Sequence, residues 1–352
     1  MAFITPTLEE IRDDILRDIV SLQPSADTSV DSDYYVRASA LASCVSGLYA
    51  HQKWIVRQAF PDTADSEYLE MHAALRKIYR KNATYAAGSA RFKGNDNAVV
   101  PVGAQILLGA NYYEVTEAGV IKNGSAVVAV RSLATGANQN ITRETVAVLM
   151  SAPTGVASDV MLLDVGGGTD AETDTELLDR LLEEIRRPAA GGNKNDYRRW
   201  AMSVDGVTSA YVYPQRRGEG TVDIAITSGN GIPSDEIVKA CQDYIDNVRP
   251  VTAKSSNVVK PTIKFVDFEI AVELDNEIAL DEIKKEIEMA LTGYFLSLKP
   301  ADALIISQVE AVISDLIGVV DREVISPKKN QIMDKNPEIG WFKLGSVDVR
   351  KM

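Results

Sequence analysis

Apolar positions change their period along this chain. Leu8, Ile11, Ile15 and Ile19 recur at three- and four-residue spacing, the period of one helix face. Thr7 and Glu10 precede them in the Thr-x-x-Glu order of a capping box, so a helix is predicted to begin there. A second is predicted from Ser32 to Phe60, stopping at Pro61. Its middle, RASALASCVSGLYA, offers small residues that let another helix approach closely. A third is predicted over DSEYLEMHAALRKIYR, with bases gathered at its C-terminal end, where they suit the helix dipole.

From Ala86 to about Val165 short Val/Ile/Tyr-rich runs alternate with turn signals such as GNDN, PVGA and ATGANQN. This pattern predicts a small antiparallel β domain, with Asn123-Gly124 as a hairpin turn. From Thr173 onward helices and strands alternate: a helix over about 173–187, a basic helix ending near Val204, then strands VTSAYVYP and GTVDIAITS joined by QRRGEG. Next come a helix from Ser234, the strand TIKFVDFEIAVEL, the helix LDEIKKEIEMALTGYFLSLK, another helix, LIGVVDREVISP, and a strand near KLGSVDVRK. SVDGVTSAYVYP and DLIGVVDREVISP echo one another, each closing a helix, then giving Gly-Val, a strand and a proline. The expected fold class is α+β multi-domain. It comprises an N-terminal helical region (1–85), a small antiparallel β domain (86–165), and C-terminal helix–strand–strand α/β modules at 166–260 and 261–352.

A length of 352 residues allows each domain its own core. Net charge is -13, so the surface repels phosphate backbones and nucleic acid is not an expected partner. The N-terminal stretch is acidic and amphipathic, unlike an export signal, and no apolar run approaches the roughly 20 residues of a membrane helix. Synthesis in a cytoplasm without export by that route is expected, with no membrane partner. Cys44 and Cys241 stand far apart without metal-ligand spacing. Cys241, among Ile237, Tyr244, Ile245 and Val248, reads as a small buried apolar residue.

The stretch LLDVGGGTDAETDTELLDRLLEEIRRPAAGGNKNDYRRW (162–200) concentrates the candidate chemistry. Gly166, Gly167 and Gly168 precede a helix, yet no lysine follows until Lys194, which excludes a P-loop, and the third glycine of Gly-x-Gly-x-x-Gly is missing. Asp170, Glu172, Asp174 and Glu176 also occupy the helix start that a phosphate needs. The three glycines are therefore expected to form a hinge or tight turn. From Asp164 to Glu184 there are eight acids against one base, Arg180. They lie along one helix and not across a cleft. Thr169/Glu172 and Thr173/Glu176 both have capping-box spacing, and Leu177, Leu178, Leu181 and Ile185 are expected to face inward. His51 and His72 have no nucleophile beside them in sequence. No catalytic residue, cofactor or metal is therefore expected.

Between Arg186 and Arg217 the sign reverses. Arg186, Arg187, Lys194, Arg198, Arg199, Arg216 and Arg217 face two acids, Asp196 and Asp205, with Tyr197 and Trp200 interleaved. Arg, Tyr and Trp are favoured anchors of protein interfaces. Arg186, Arg187, Arg198, Arg199, Trp200, Arg216 and Arg217 are thus candidates for contact with another chain.

Taken together, the Gly-Gly-Gly-Thr-Asp turn, Glu172-Thr173-Asp174, the basic helix ending in Arg-Arg, Gly191-Gly192, Trp200-Ala201 and the Gly206-Val207 strand start resemble the hallmark segment of the phage baseplate J-like family. VPVGAQILLGANYYEV and ATGANQN are similar to its turn-rich β insert, and the resemblance covers most of residues 80–230. It implies a non-enzymatic wedge protein of a contractile tail or related injection machine, joined in a ring around the central tube and spike and rearranging on firing. The partners so implied are other wedge proteins, further copies of the same chain, and spike, hub and sheath-initiating proteins nearby. The place so implied is the virion tail, assembled in the host cytoplasm. Two other readings stand beside it: a polysaccharide-degrading tail hydrolase using the acidic helix, and a cytoplasmic binding protein with a glycine-rich ligand loop.

Overall fold

The predicted capping box forms. In a computed structural model describing residues 4–229, 231–275, 279–333 and 338–352, the Thr7 hydroxyl accepts the Glu10 N–H at 3.2 Å, and Thr7 N–H donates to the Glu10 carboxylate at 2.7 Å. Helix α1 (Leu8–Leu22) follows and packs on α2 (Asp33–Gln58), with Ile11, Ala38 and Ala42 buried. The Ser32 hydroxyl caps α2 through Tyr35 N–H. Helix α3 (Ser66–Ala74) is shorter than predicted. Lys77 takes φ 59°, its N–H reaches Ala74 O, and Ile78 N–H reaches Ala73 O, a Schellman closure that stops the helix before Arg80.

Helix α4 (Asp174–Arg186) sets Leu177 and Leu181, both fully buried, against Leu69 and Ala73 of α3. By packing, the residues up to Arg80 together with Thr173–Arg186 make one compact unit, and Lys81–Glu172 with Arg187–Met352 make another. Leu178 is partly buried as expected, but Ile185 is 44% exposed. The thirteen residues of α4 outnumber the nine of α3, and the exposed Ile185 lies in its last turn.

The β domain is a closed six-stranded barrel in the order β1-β6-β4-β3-β7-β8, antiparallel throughout. Its strands are β1 (Tyr85–Gly94), β3 (Gln105–Leu108), β4 (Asn111–Val115), β6 (Ser125–Thr135), β7 (Thr145–Leu149) and β8 (Val156–Gly166). The short β2 (Val99–Val100) and β5 (Gly119–Val120) pair separately. Alternate positions fill the interior with Phe92, Ile106, Tyr113, Val130, Leu149, Val160 and Leu162, the period-two pattern of a small barrel. Asn123 and Gly124 both adopt positive φ, the type I′ requirement that made the pair a hairpin signal.

Two three-stranded sheets follow. The first, in order β11-β10-β9, comprises β9 (Ser209–Pro214), β10 (Thr221–Thr227) and β11 (Ser255–Val259), covered by α5 (Lys194–Met202) and α6 (Asp235–Val248). The second, in order β13-β12-β14, comprises β12 (Thr262–Leu274), β13 (Val319–Ser326) and β14 (Gly340–Lys351), with α7 (Leu280–Ser297) and α8 (Ile306–Ser314). Helix α7 buries Ile283, Ile287, Leu291 and Phe295, one residue per turn. In both sheets the central strand pairs antiparallel on one side and parallel on the other. The echoed sequences form the antiparallel edge strand each time, β9 and β13.

The inward face of α4 separates by stability. Leu177→Ala should cost about 2–5 kcal/mol, as buried leucine truncations do. Ile185→Ala should stay within about 0.5 kcal/mol. Urea unfolding followed by far-UV ellipticity distinguishes the two.

Candidate functional site

The three glycines occupy the most enclosed backbone of the chain's hallmark segment. Gly166 ends β8 opposite Ala87, and Val165 through Thr169 are all buried. Gly167 carries φ 86°, which supplies the turn. Its N–H donates to Ile232 O at 3.1 Å, and its carbonyl accepts the Thr84 hydroxyl at 2.6 Å. Gly168 is clamped by Asn140, whose amide accepts its N–H at 2.7 Å and donates to its carbonyl at 2.8 Å. A Cβ on Gly166 would strike Ile232 O. One on Gly167 would come within 2.9 Å of the Ser234 backbone nitrogen, and one on Gly168 would strike Gly136 O. The glycines are there because three backbone segments approach too closely for side chains. The turn thereby stitches the barrel, through Thr84 and Asn140, to the sheet module, through Ile232 and Ser234.

The acids beside this turn are distributed over separate tasks. The Thr173/Glu176 pair forms reciprocal contacts, with Thr173 N–H donating to the Glu176 carboxylate at 2.9 Å and Glu176 N–H to the Thr173 hydroxyl at 3.3 Å. The Thr169/Glu172 pair does not cap a helix. Residues 169–172 run extended beside 81–84, so the Thr169 hydroxyl meets that of Thr84 at 2.8 Å and the Glu172 carboxylate accepts the Lys81 N–H at 3.0 Å. Asp174 accepts from Arg80 at 2.5 Å and from the Ser66 hydroxyl at 2.9 Å, and these two donors hold its carboxyl below its ordinary range. Among the described residues no three His, Cys, Asp or Glu side chains gather as metal ligands, and no helix is long and apolar enough to cross a membrane. His72 Nε2 lies 2.8 Å from Gln58 O, and His51 stacks on Trp54. Cys241 is fully buried, which pushes its thiol up to about 12.

The structure divides the seven interface candidates. Arg216 and Arg217 grip Asp223, a carboxylate with no solvent exposure, at 2.5 and 2.7 Å. Arg216 is itself 9% exposed, and Arg217 also reaches the Ser255 hydroxyl. Their task lies inside the module, closing the 215–220 turn over β10. A signal was present in the sequence: Asp223 interrupts the apolar run of TVDIAIT, and a charge buried in a strand demands a partner. Arg199 likewise turns inward, bonding Asp196 at 3.1 Å and Arg187 O at 3.2 Å. Burial would raise the Asp196 carboxyl, but the N–H groups of Gly192, Asn193 and Ala190, with Arg199, hold it below its ordinary range. Asn193 and Asp196 cap α5 reciprocally. Trp200 is half-buried, edge-on to Tyr197 at 5.0 Å, against the module core. Arg186 and Arg187 are exposed, and Arg198 is half-exposed.

Three consecutive segments match known domains: the Baseplate J-like protein barrel domain at 89–168, the Baseplate J-like central domain at 189–259, and the Baseplate J-like protein C-terminal domain at 266–350. The chain is 30% identical over 310 residues to the baseplate protein gp47 of Escherichia phage Mu, covering 84% of this chain and 85% of that protein. It is 29% identical over 323 residues to the Mu-like prophage FluMu protein gp47 of Haemophilus influenzae, covering 87% and 88%. Identity to the phage-like element PBSX protein XkdT of Bacillus subtilis is 28% over 361 residues, covering 97% and 98%.

Two substitutions probe this site. Gly168→Ala should destabilise by about 1–3 kcal/mol or more, because an added methyl has no room against fixed backbone. A thermal melt unchanged from wild type would mean that the three segments do not meet as described. Asp223→Ala should cost about 3–5 kcal/mol by leaving Arg216 buried without its carboxylate. A loss under about 1 kcal/mol, the usual worth of a surface pair, would place the cluster in solvent instead.

Proposed function

Because the chain belongs to the baseplate J-like protein family, we propose that it is a structural component of a contractile-tail baseplate. In this reading it is a wedge or ring protein around the central tube and spike, and it passes the firing rearrangement to the sheath. The observation that carries the reading is the match to a phage baseplate protein over 84% of the chain, with three baseplate domains in unbroken order. The role is non-enzymatic. Three carboxylates of the acidic segment have structural tasks: Glu176 caps α4, Asp174 pairs with Arg80, and Glu172 accepts a backbone amide. Partners are other wedge proteins and further copies of the chain, with hub, spike and sheath-initiating proteins nearby. The place is the virion tail, assembled in the host cytoplasm.

Within this role, Arg186 on the helical unit and, separately, Arg187, Arg198 and Trp200 on the larger unit contact neighbouring chains. Their charge is opposite to that of the molecule as a whole, which favours docking on an acidic neighbour. Arg199, Arg216 and Arg217 contribute by holding that region in shape.

Deleting the gene from its phage or prophage and imaging the lysate by electron microscopy tests the role. Intact baseplates should vanish and return when the wild-type chain is supplied. Normal baseplates without the chain would overturn the reading. Supplying Arg186→Glu/Arg187→Glu should give a folded chain that fails to enter baseplates, since like charges at an interface are strongly penalised. Normal incorporation of that variant would remove these two arginines from the contact.

A further inference from the structure

The hairpin that turns at Asn123-Gly124 carries a chemical liability, and one side chain is placed to restrain it. Lys122 and Ser125 exchange both backbone bonds, at 3.1 and 3.3 Å, so Asn123 and Gly124 are the whole of the loop. Both residues are exposed, with φ of 52° and 77°. A Cβ on Gly124 would meet no atom within 4 Å. With no side chain on Gly124, its nitrogen is free to approach the Asn123 Cγ. In water that approach leads to deamidation. The Gly124 N–H loses its proton, the nitrogen bonds Asn123 Cγ, and the Cγ–Nδ2 bond breaks, with the proton leaving on ammonia. Water then opens the succinimide ring at either carbonyl, which gives aspartate or isoaspartate. Isoaspartate lengthens the backbone of a loop whose geometry sets the register of β6.

The GNDN turn at 94–97 supplies the restraint. Gly124 N–H donates to the Asp96 carboxylate at 2.9 Å, a charge-assisted bond. The attacking nitrogen must give up that bond and then its proton, beside a negative charge that disfavours the resulting anion. The backbone of this turn is tied to the hairpin without help from Asp96. Gly94 N–H donates to Gly124 O at 3.2 Å, Asn97 N–H to Ile121 O at 2.9 Å, and Ile121 N–H to Ala98 O at 2.9 Å. Asp96 is exposed, so its side chain fills no space in the barrel core. Its bond to the loop is therefore separable from the fold.

We infer that Asn123 is a deamidation site and that the Asp96 carboxylate guards it by holding the Gly124 N–H. The inference is read from the hairpin itself and goes beyond the tail reading, so either can fail without the other.

The test is to age the full-length wild type and Asp96→Ala side by side in warm neutral buffer, with mass spectrometry of the peptides that contain Asn123. Asp96→Ala should convert Asn123 about threefold faster or more, the scale of losing an exposed ionic contact. Hydrogen exchange on the same samples should show the Gly124 amide released in the variant. The Lys122 and Ser125 amides should stay slow to exchange, because the turn remains closed. Wild type unfolded in urea sets the unguarded rate and should exceed that of folded wild type. Equal rates in folded wild type and Asp96→Ala would overturn the proposal, as would a folded wild type that converts as fast as the unfolded chain. Acceleration accompanied by release of the Lys122 and Ser125 amides would overturn it too, since opening of the whole hairpin would then be the cause.

Discussion

Close approach of backbone at Gly166–Gly168 is the constraint from which the larger unit is built. Strand β8 must leave the barrel, pass Gly136 and Asn140, and reach Ile232 and Ser234 of the next module within three residues. Any Cβ there would hold the segments apart. The polar groups so brought together satisfy one another: Thr84 takes Gly167 O, Asn140 takes both backbone groups of Gly168, and Lys81 reaches Val207 O. Buried backbone without such partners is costly. Two lighter contacts then tie in the C-terminal module. Tyr213 donates its hydroxyl to Pro300 O, and Arg143 reaches Leu344 O while lying over Phe265.

Local rules carried far in this chain. The caps at Thr7 and Ser32, the Asn123-Gly124 hairpin, the strand at 262–274 and the stripe of α7 could all be read from spacing alone. Each depends on residues within a few positions of one another. Closure of the barrel could not be read that way, since β1 meets β8 some seventy residues later and no local signal encodes that pairing. Strand β11 was missed because SSNVV lacks the alternation of its neighbours. It is held by parallel pairing with β10, a tertiary effect.

The arginine cluster shows how burial divides a run of charge. Seven bases against two acids looked like one basic surface, yet both kinds of residue sort by burial. Asp223 is fully enclosed and draws Arg216 and Arg217 inward, and Asp196 draws Arg199. Tertiary packing chose which arginines remain outside. Three glycines in series predict a hinge or a tight turn; in the fold Gly167 turns with φ 86°, and neighbouring segments occupy the space that a Cβ on each glycine would need.

The helical unit is discontinuous in sequence, and this sets a timetable for its birth. Leu69 and Ala73 on α3 wait for Leu177 and Leu181 on α4, about a hundred residues later on a growing chain. At roughly 5–20 residues per second of translation, that delay is about 5–20 s. The barrel, synthesised entirely within the interval, can close before its predecessor is complete. An apolar surface made early is therefore covered only after the whole barrel has been synthesised, which gives the nascent chain a window in which a chaperone or a sister chain can reach α3.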